Sequence, residues 1–164
     1  MAGQTDSAVI AAADFQELGD HLVERLTPLV DFQRFNIGLI DETRYMFTDA
    51  FVSGQNVAGR AVGHERTLDG TVVERAIQAG DGAFFGGDVE TLLRDFPRFG
   101  PVLESGMRSM LAVPLRWRGR VIAALVLASA RADGFNAETL RIVQNLGAEV
   151  VDRIVVLANE TAGG

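Results

Sequence analysis

Positions 121–128, Val-Ile-Ala-Ala-Leu-Val-Leu-Ala, are apolar without interruption. Successive side chains of a strand point to opposite faces, so a strand made of this run must be covered on both sides. Ser109–Trp117 just before it is nearly as apolar, and Arg118-Gly119 between the two reads as a hairpin turn. A long antiparallel hairpin at the centre of a two-sided sheet is therefore the constraint around which the rest must be arranged. The run is far shorter than the roughly 20 residues that cross a bilayer, so it is a core strand and not a membrane span.

The flanking sequence supplies the two covering layers. Asp14 and Glu17 have capping-box spacing, and Phe15, Leu18, Leu22, Leu26 and Leu29 recur at helical intervals, predicting an amphipathic helix over 14–30. Strands are expected over 35–40 and 45–52 with a turn at 41–44, followed by a glycine-rich loop over 53–63 and a short strand over 64–68. Thr71 and Glu74 again have capping-box spacing, and Gly80 ends the short helix they begin. Residues 83–85 read as a buried strand, and Asp88 as the cap of a helix that turns Leu92, Leu93 and Phe96 inward. Two prolines and two glycines make 97–106 an irregular lid. Asn136 caps the last helix, expected over 136–157, with Phe135 and Leu140 as a hydrophobic staple. That helix carries two apolar strips: Leu140, Val143, Gly147, Val150, Ile154 and Leu157, and beside them Ile142, Leu146, Val151, Val155 and Ala158. One strip is expected to face the sheet and the other a partner helix.

Composition narrows the classes of function. A chain of 164 residues, 48% hydrophobic and 23% charged, suits one soluble domain, here placed at 14–160 between a flexible tail at 1–13 and a short one at 161–164. The chain contains no cysteine, which excludes disulfides, thiolate metal sites and a cysteine nucleophile. A net charge of −7 and no long basic face argue against nucleic acid as a partner. No secretory leader is legible at the N-terminus and no membrane partner is expected, so a cytoplasmic location is expected.

Several motifs then occur in a telling order. Leu68-Asp69-Gly70-Thr71-Val72-Val73 through Ala79-Gly80 precedes Phe84-Phe85-Gly86-Gly87-Asp88. Gly106-Met107-Arg108-Ser109-Met110-Leu111-Ala112-Val113-Pro114-Leu115 follows, then Arg118-Gly119-Arg120-Val121-Ile122 and Phe135-Asn136 at the last helix. Together, over residues 15–158, these resemble the GAF domain family of sensory modules. Ala123 and Ala124 stand where that family often has glycine. The resemblance implies an α+β fold: a central antiparallel sheet of about six strands, the N- and C-terminal helices on one face, short helices and loops over a pocket on the other. It also implies a regulatory, non-enzymatic role in a signalling protein such as a sensor kinase, cyclase or transcriptional regulator. The module would bind an unidentified small molecule and form a homodimer through the helices at 14–30 and 136–157. A ligand-free module for dimerisation or protein interaction is the alternative.

Three activities known in this family sit badly with the chain. Bilin-tethering and free methionine sulfoxide reductase members use cysteine, and the Asn-Lys-x-Phe-Asp-Glu signature of cyclic-nucleotide-binding members is missing. No cofactor is expected. His64 is the one residue placed to ligate haem, and it and His21 both lack a second ligand at metal-binding spacing.

By the resemblance, the pocket is expected to draw on Phe84, Asp88, Phe96, Phe99, Arg108, Met110 and Ala112. Arg108, Met110 and Ala112 share one face of their strand, and an arginine near an aromatic ring and a helix N-terminus could hold a carboxylate or phosphate. The competing reading makes Arg108 a structural partner of Glu104 or Asp88, and Asp88 an ordinary helix cap. The basic, aromatic tip at 116–120 is either a solvated turn or a docking point for an acidic partner or a second subunit.

Overall fold

The structure, a computed structural model, describes residues 7–163. Six strands, β1 (Arg34–Asp41), β2 (Met46–Gly54), β3 (Glu65–Thr67), β4 (Ala83–Gly86), β5 (Ser109–Trp117) and β6 (Arg120–Ser129), form one antiparallel sheet in the order β3-β2-β1-β6-β5-β4. The expected hairpin is β5–β6, and the fully apolar β6 lies centrally between β1 and β5. Among the described residues, six helices flank the sheet: α1 (Ser7–Ala11), α2 (Phe15–Leu26), α3 (Val72–Ala79), α4 (Val89–Asp95), α5 (Gly100–Glu104) and α6 (Ala137–Gly163). This is the α+β arrangement that the resemblance implies.

Each face has its own core, separated by strand parity. Leu111, Val113 and Leu115 of β5 with Leu125 and Leu127 of β6 meet α1, α2 and α6. Met110 and Ala112 with Ala124, Val126 and Ala128 meet α3, α4 and α5 on the other side. Two helical glycines let the terminal helices settle onto the first face. A Cβ on Gly19 of α2 would lie 2.2 Å from the Phe51 ring, and one on Gly147 of α6 would lie 2.5 Å from a Leu115 methyl.

A bulge in β2 controls the second face. Ile37 pairs with Phe51 while Gly38 pairs with Asp49, so Ala50 is the unmatched residue. The extra residue reverses the inward and outward alternation. Phe51 consequently packs under α2, whereas Phe47 belongs to the opposite core, and Asp49, buried at 1% exposure, accepts a hydrogen bond from Asn36.

Several sequence expectations are corrected. Residues 7–11 of the expected tail form α1, whose Val9 is fully buried, and the Arg153 guanidinium donates to the Ala12 carbonyl at 2.9 Å; residues 1–6 lie outside the described residues. The first helix ends at Leu26 and not at Val30, since Pro28 brings no N–H to continue it; Leu29 is exposed. The last helix continues past Leu157 to Gly163, because nothing between 158 and 162 is glycine or proline. The 97–106 segment is more regular than a lid, being a 3-10 turn (Pro97–Phe99) followed by α5. Leu92 and Phe96 point inward, but Leu93 is exposed. Of the second strip on α6, Leu146 is already buried within the domain, and Ile142, Val151, Val155 and Ala158 are half-buried.

Candidate functional site

Between the sheet and the α3–α5 layer lies a cavity of about 40 Å³. It holds a few waters on a scale where about 10–15 Å³ takes one. One end is apolar, walled by Phe96, Phe99, Val102, Met110, Val126 and Ala128. The other is cationic, with Arg34, Arg60 and Arg66 beside Asn36 and Thr67 and with Arg98 also contributing. The first turn of α3 closes the cavity through Gly70, Thr71, Val72 and Val73. Thr71 caps that turn, its Oγ1 accepting from the Glu74 N–H at 3.2 Å.

The cationic end is held by backbone carbonyls and one carboxylate. Arg34, 5% exposed, donates to the Gln55 carbonyl at 2.9 Å and the Arg60 carbonyl at 2.6 Å, which pins the glycine-rich loop across the strand ends. Arg60 donates to the Arg98 carbonyl at 2.7 Å, and Arg98 to the Asp69 carbonyl at 2.9 Å. Arg66 forms the ion pair of the group, 2.5 Å from an Asp49 carboxylate oxygen that is fully buried, and stacks 5.0 Å over the Phe47 ring. Asp49 also accepts from Asn36 Nδ2 at 3.0 Å. Among the described residues, neither Arg34 nor Arg60 has a carboxylate within ion-pair distance.

The imbalance registers on the guanidiniums. Burial pushes Arg60 down to about 10, with Arg66 and Arg34 adding repulsion against the partial relief of Asp49. Burial also lowers Arg34, offset in part by Asp49 and reinforced by Arg66. Both stay charged at neutral pH, in surroundings that favour the charged form less than water does.

The residues expected from sequence divide in two. Phe96, Phe99 and Met110 line the cavity, and Ala112 is buried in the same core without reaching it. Phe84 is 41% exposed and pairs across from Leu111, on the parity of the other face; its neighbour Phe85 is the ring that turns inward, 4.9 Å from Phe96. Asp88 is exposed and caps α4, accepting from the Thr91 N–H at 2.8 Å, which holds its carboxyl below the usual range. Arg108 is away from the cavity and pairs with neither Glu104 nor Asp88; it donates to the carbonyls of Leu103 and Met107 at 3.0 and 2.7 Å. His64 is exposed beyond the cavity, its Nδ1 accepting from the Ala61 N–H at 3.0 Å. At the hairpin tip Arg116 donates to the Gly80 carbonyl at 2.5 Å, and Arg118 stacks 4.3 Å over Trp117.

Arg34, Asn36, Arg60 and Arg66 were not among the residues expected from sequence. The signal that would have found them is a polar residue in a position of inward parity: Arg34 and Asn36 alternate with Phe35 and Ile37 in a strand that is buried as far as Gly38.

The profile of a family described as GAF domain matches residues 12–154. Among solved structures, the chain is similar to the GAF domain of a two-component sensor histidine kinase from Bacillus halodurans, with 15% identity over 93% of this chain and 100% of that one and a TM-score of 0.74. It is also similar to the GAF domain of a phosphoenolpyruvate-protein phosphotransferase from Coxiella burnetii, with 14% identity over 95% and 91% and a TM-score of 0.72. A free methionine-R-sulfoxide reductase from Neisseria meningitidis, solved with its substrate, shares 19% identity over 94% and 86% with a TM-score of 0.67. No curated protein matches the chain.

Proposed function

Because the chain belongs to the GAF domain family, we propose that it is a sensory module that takes a small molecule into the cavity between the sheet and the α3–α5 layer and regulates a signalling protein. The observation that carries this reading is the cavity itself, in which one end is apolar and the other is lined by donors whose geometry is fixed by backbone carbonyls. Pockets that bind small molecules have this combination of apolar wall and few oriented polar groups. A regulatory role without catalysis is preferred because no cysteine is present for the redox chemistry expected of the reductase members. Among the described residues, no helix is long and apolar enough to cross a membrane.

Signal transfer is assigned to a homodimer through α2 and α6. The half-buried strip of Ile142, Val151, Val155 and Ala158, with Val156 at 40% exposure, supplies apolar surface for a second copy. Native mass spectrometry of the protein from its own host, together with a metabolite screen read by thermal shift, tests the ligand. A retained or stabilising small molecule is expected. Light scattering at micromolar concentration tests the dimer, and a monomer overturns it. The small size of the cavity favours one second reading, a ligand-free interaction module, which gains if every metabolite leaves the melting temperature unchanged.

A further inference from the structure

We propose that the cavity selects a small organic anion, a carboxylate carried on a short apolar body, with its head among Arg34, Arg60 and Arg66 and its tail against Phe96, Phe99 and Val102. The inference rests on the reading of the cavity as a ligand site and specifies the chemistry of what enters.

The first argument is charge. Three guanidiniums meet at one end of the cavity with Asp49 as their carboxylate, in a chain whose net charge is −7. Arginines buried for structural reasons alone are usually balanced, because each unpaired buried charge is costly. An anion placed beside Arg34 and Arg60 supplies the balance that the described residues leave incomplete. Burial depresses both of these arginines, and an adjacent anion reverses that effect.

The second argument is donor geometry. Arg34 spends its two terminal nitrogens on carbonyls, Arg60 one of its own on Arg98, and Arg66 its two on Asp49. Each guanidinium has five N–H donors, so donors are left over. Among the described residues, no fully enclosed side-chain nitrogen or oxygen lacks a partner. The nitrogens of the group that make no hydrogen bond, Nε of Arg34 and Arg66 and Nε and Nη1 of Arg60, are therefore not fully enclosed, and the cavity lies against these residues. The first turn of α3 lines the same wall, where Val72 and Val73 present N–H groups that have no acceptor within the helix.

The third argument is shape. An inorganic oxyanion would leave the aromatic and aliphatic end unfilled, and a neutral hydrocarbon would leave the arginines unbalanced. A planar carboxylate suits the forked donors of arginine. The volume keeps that body short, and an anion of more than about three to four non-hydrogen atoms enters only as the α3–α5 roof moves outward.

The matched pair of butyrate and butyramide differs in charge at nearly constant shape. Both are titrated into the whole chain, together with inorganic phosphate, while the methyl resonances of Met110, Val126 and Ala128 are followed by NMR. Butyrate is expected to shift these methyls and to bind at least about tenfold more tightly than butyramide, as charge-assisted hydrogen bonds require. In Arg60→Gln that preference is expected to collapse. Should the variant lose its fold by circular dichroism, the butyrate-to-butyramide ratio in the unaltered protein still decides the matter. Equal binding of the two overturns the anion and leaves the cavity a ligand site. Tighter binding of phosphate than of butyrate overturns the apolar body. No perturbation by any of the three overturns the inference entirely, while the metabolite screen judges the ligand site separately.

Discussion

Asp49 is the residue on which the cationic end depends. Its carboxylate is fully buried, accepts from Arg66 and Asn36, and faces a group that also includes Arg34 and Arg60. Asp49→Asn keeps the shape and removes the charge, so urea unfolding is expected to show a loss of about 3–5 kcal/mol, the usual effect of deleting one partner of a buried pair. Tyr45 supplies a pH-dependent case. Its hydroxyl donates to Glu74, and that hydrogen bond, with smaller effects of burial and of nearby acids, pushes the phenol up to about 12. A pKa raised on folding gives stability that is complete below the ordinary value of about 10 and is lost as pH rises through the folded one. The stability gap between the natural protein and Tyr45→Phe should therefore be constant from neutrality to about pH 10 and then close toward 12. A gap that persists at the alkaline end would contradict the Tyr45–Glu74 bond.

The elements themselves were largely legible, because what makes them is local. Asp14, Thr71 and Asp88 each accept from the N–H three residues on, as their spacing predicts. Asn136 does the same with the Thr139 N–H at 3.0 Å, and Thr139 Oγ1 accepts from the Asn136 N–H in return at 2.8 Å. Asn136→Ala is expected to cost about 1 kcal/mol, seen as a fall in melting temperature of about 2–4 °C for a domain of this size. What was not legible depends on partners distant in sequence. The packing of α1 comes from Arg153, far along α6, reaching back to Ala12. Phe84 and Phe85 are indistinguishable as residue types, and only the pairing of β4 with β5 decides that Phe85 is the inward ring. Residues with apolar character were found at the cavity, as Phe96, Phe99 and Met110 show. The arginines were missed because β1, the 55–63 loop and β3 must first be brought together before Arg34, Arg60 and Arg66 become neighbours.

For the molecule as a whole, the sheet divides two tasks. The face under α1, α2 and α6 carries the larger apolar core, with big side chains such as Phe35, Phe51 and Leu125 fully buried. The opposite face keeps space and charge. The two meet in β2, where Ala50 sits unmatched between Asp49 and Phe51. Position 50 is consequently the place in β2 that no partner on β1 fixes. Ala50→Ser, on a half-buried site, should leave the unfolding midpoint almost unchanged, and deleting Ala50 should keep a cooperative transition, because Asp49 opposite Gly38 and Phe51 opposite Ile37 then become neighbours in a regular strand and stay on their opposite faces. In a library of variants this strand would record tolerance at position 50 both to substitution and to loss of the residue. Relatives descended from such a chain would be free to vary the letter at this place or to drop it.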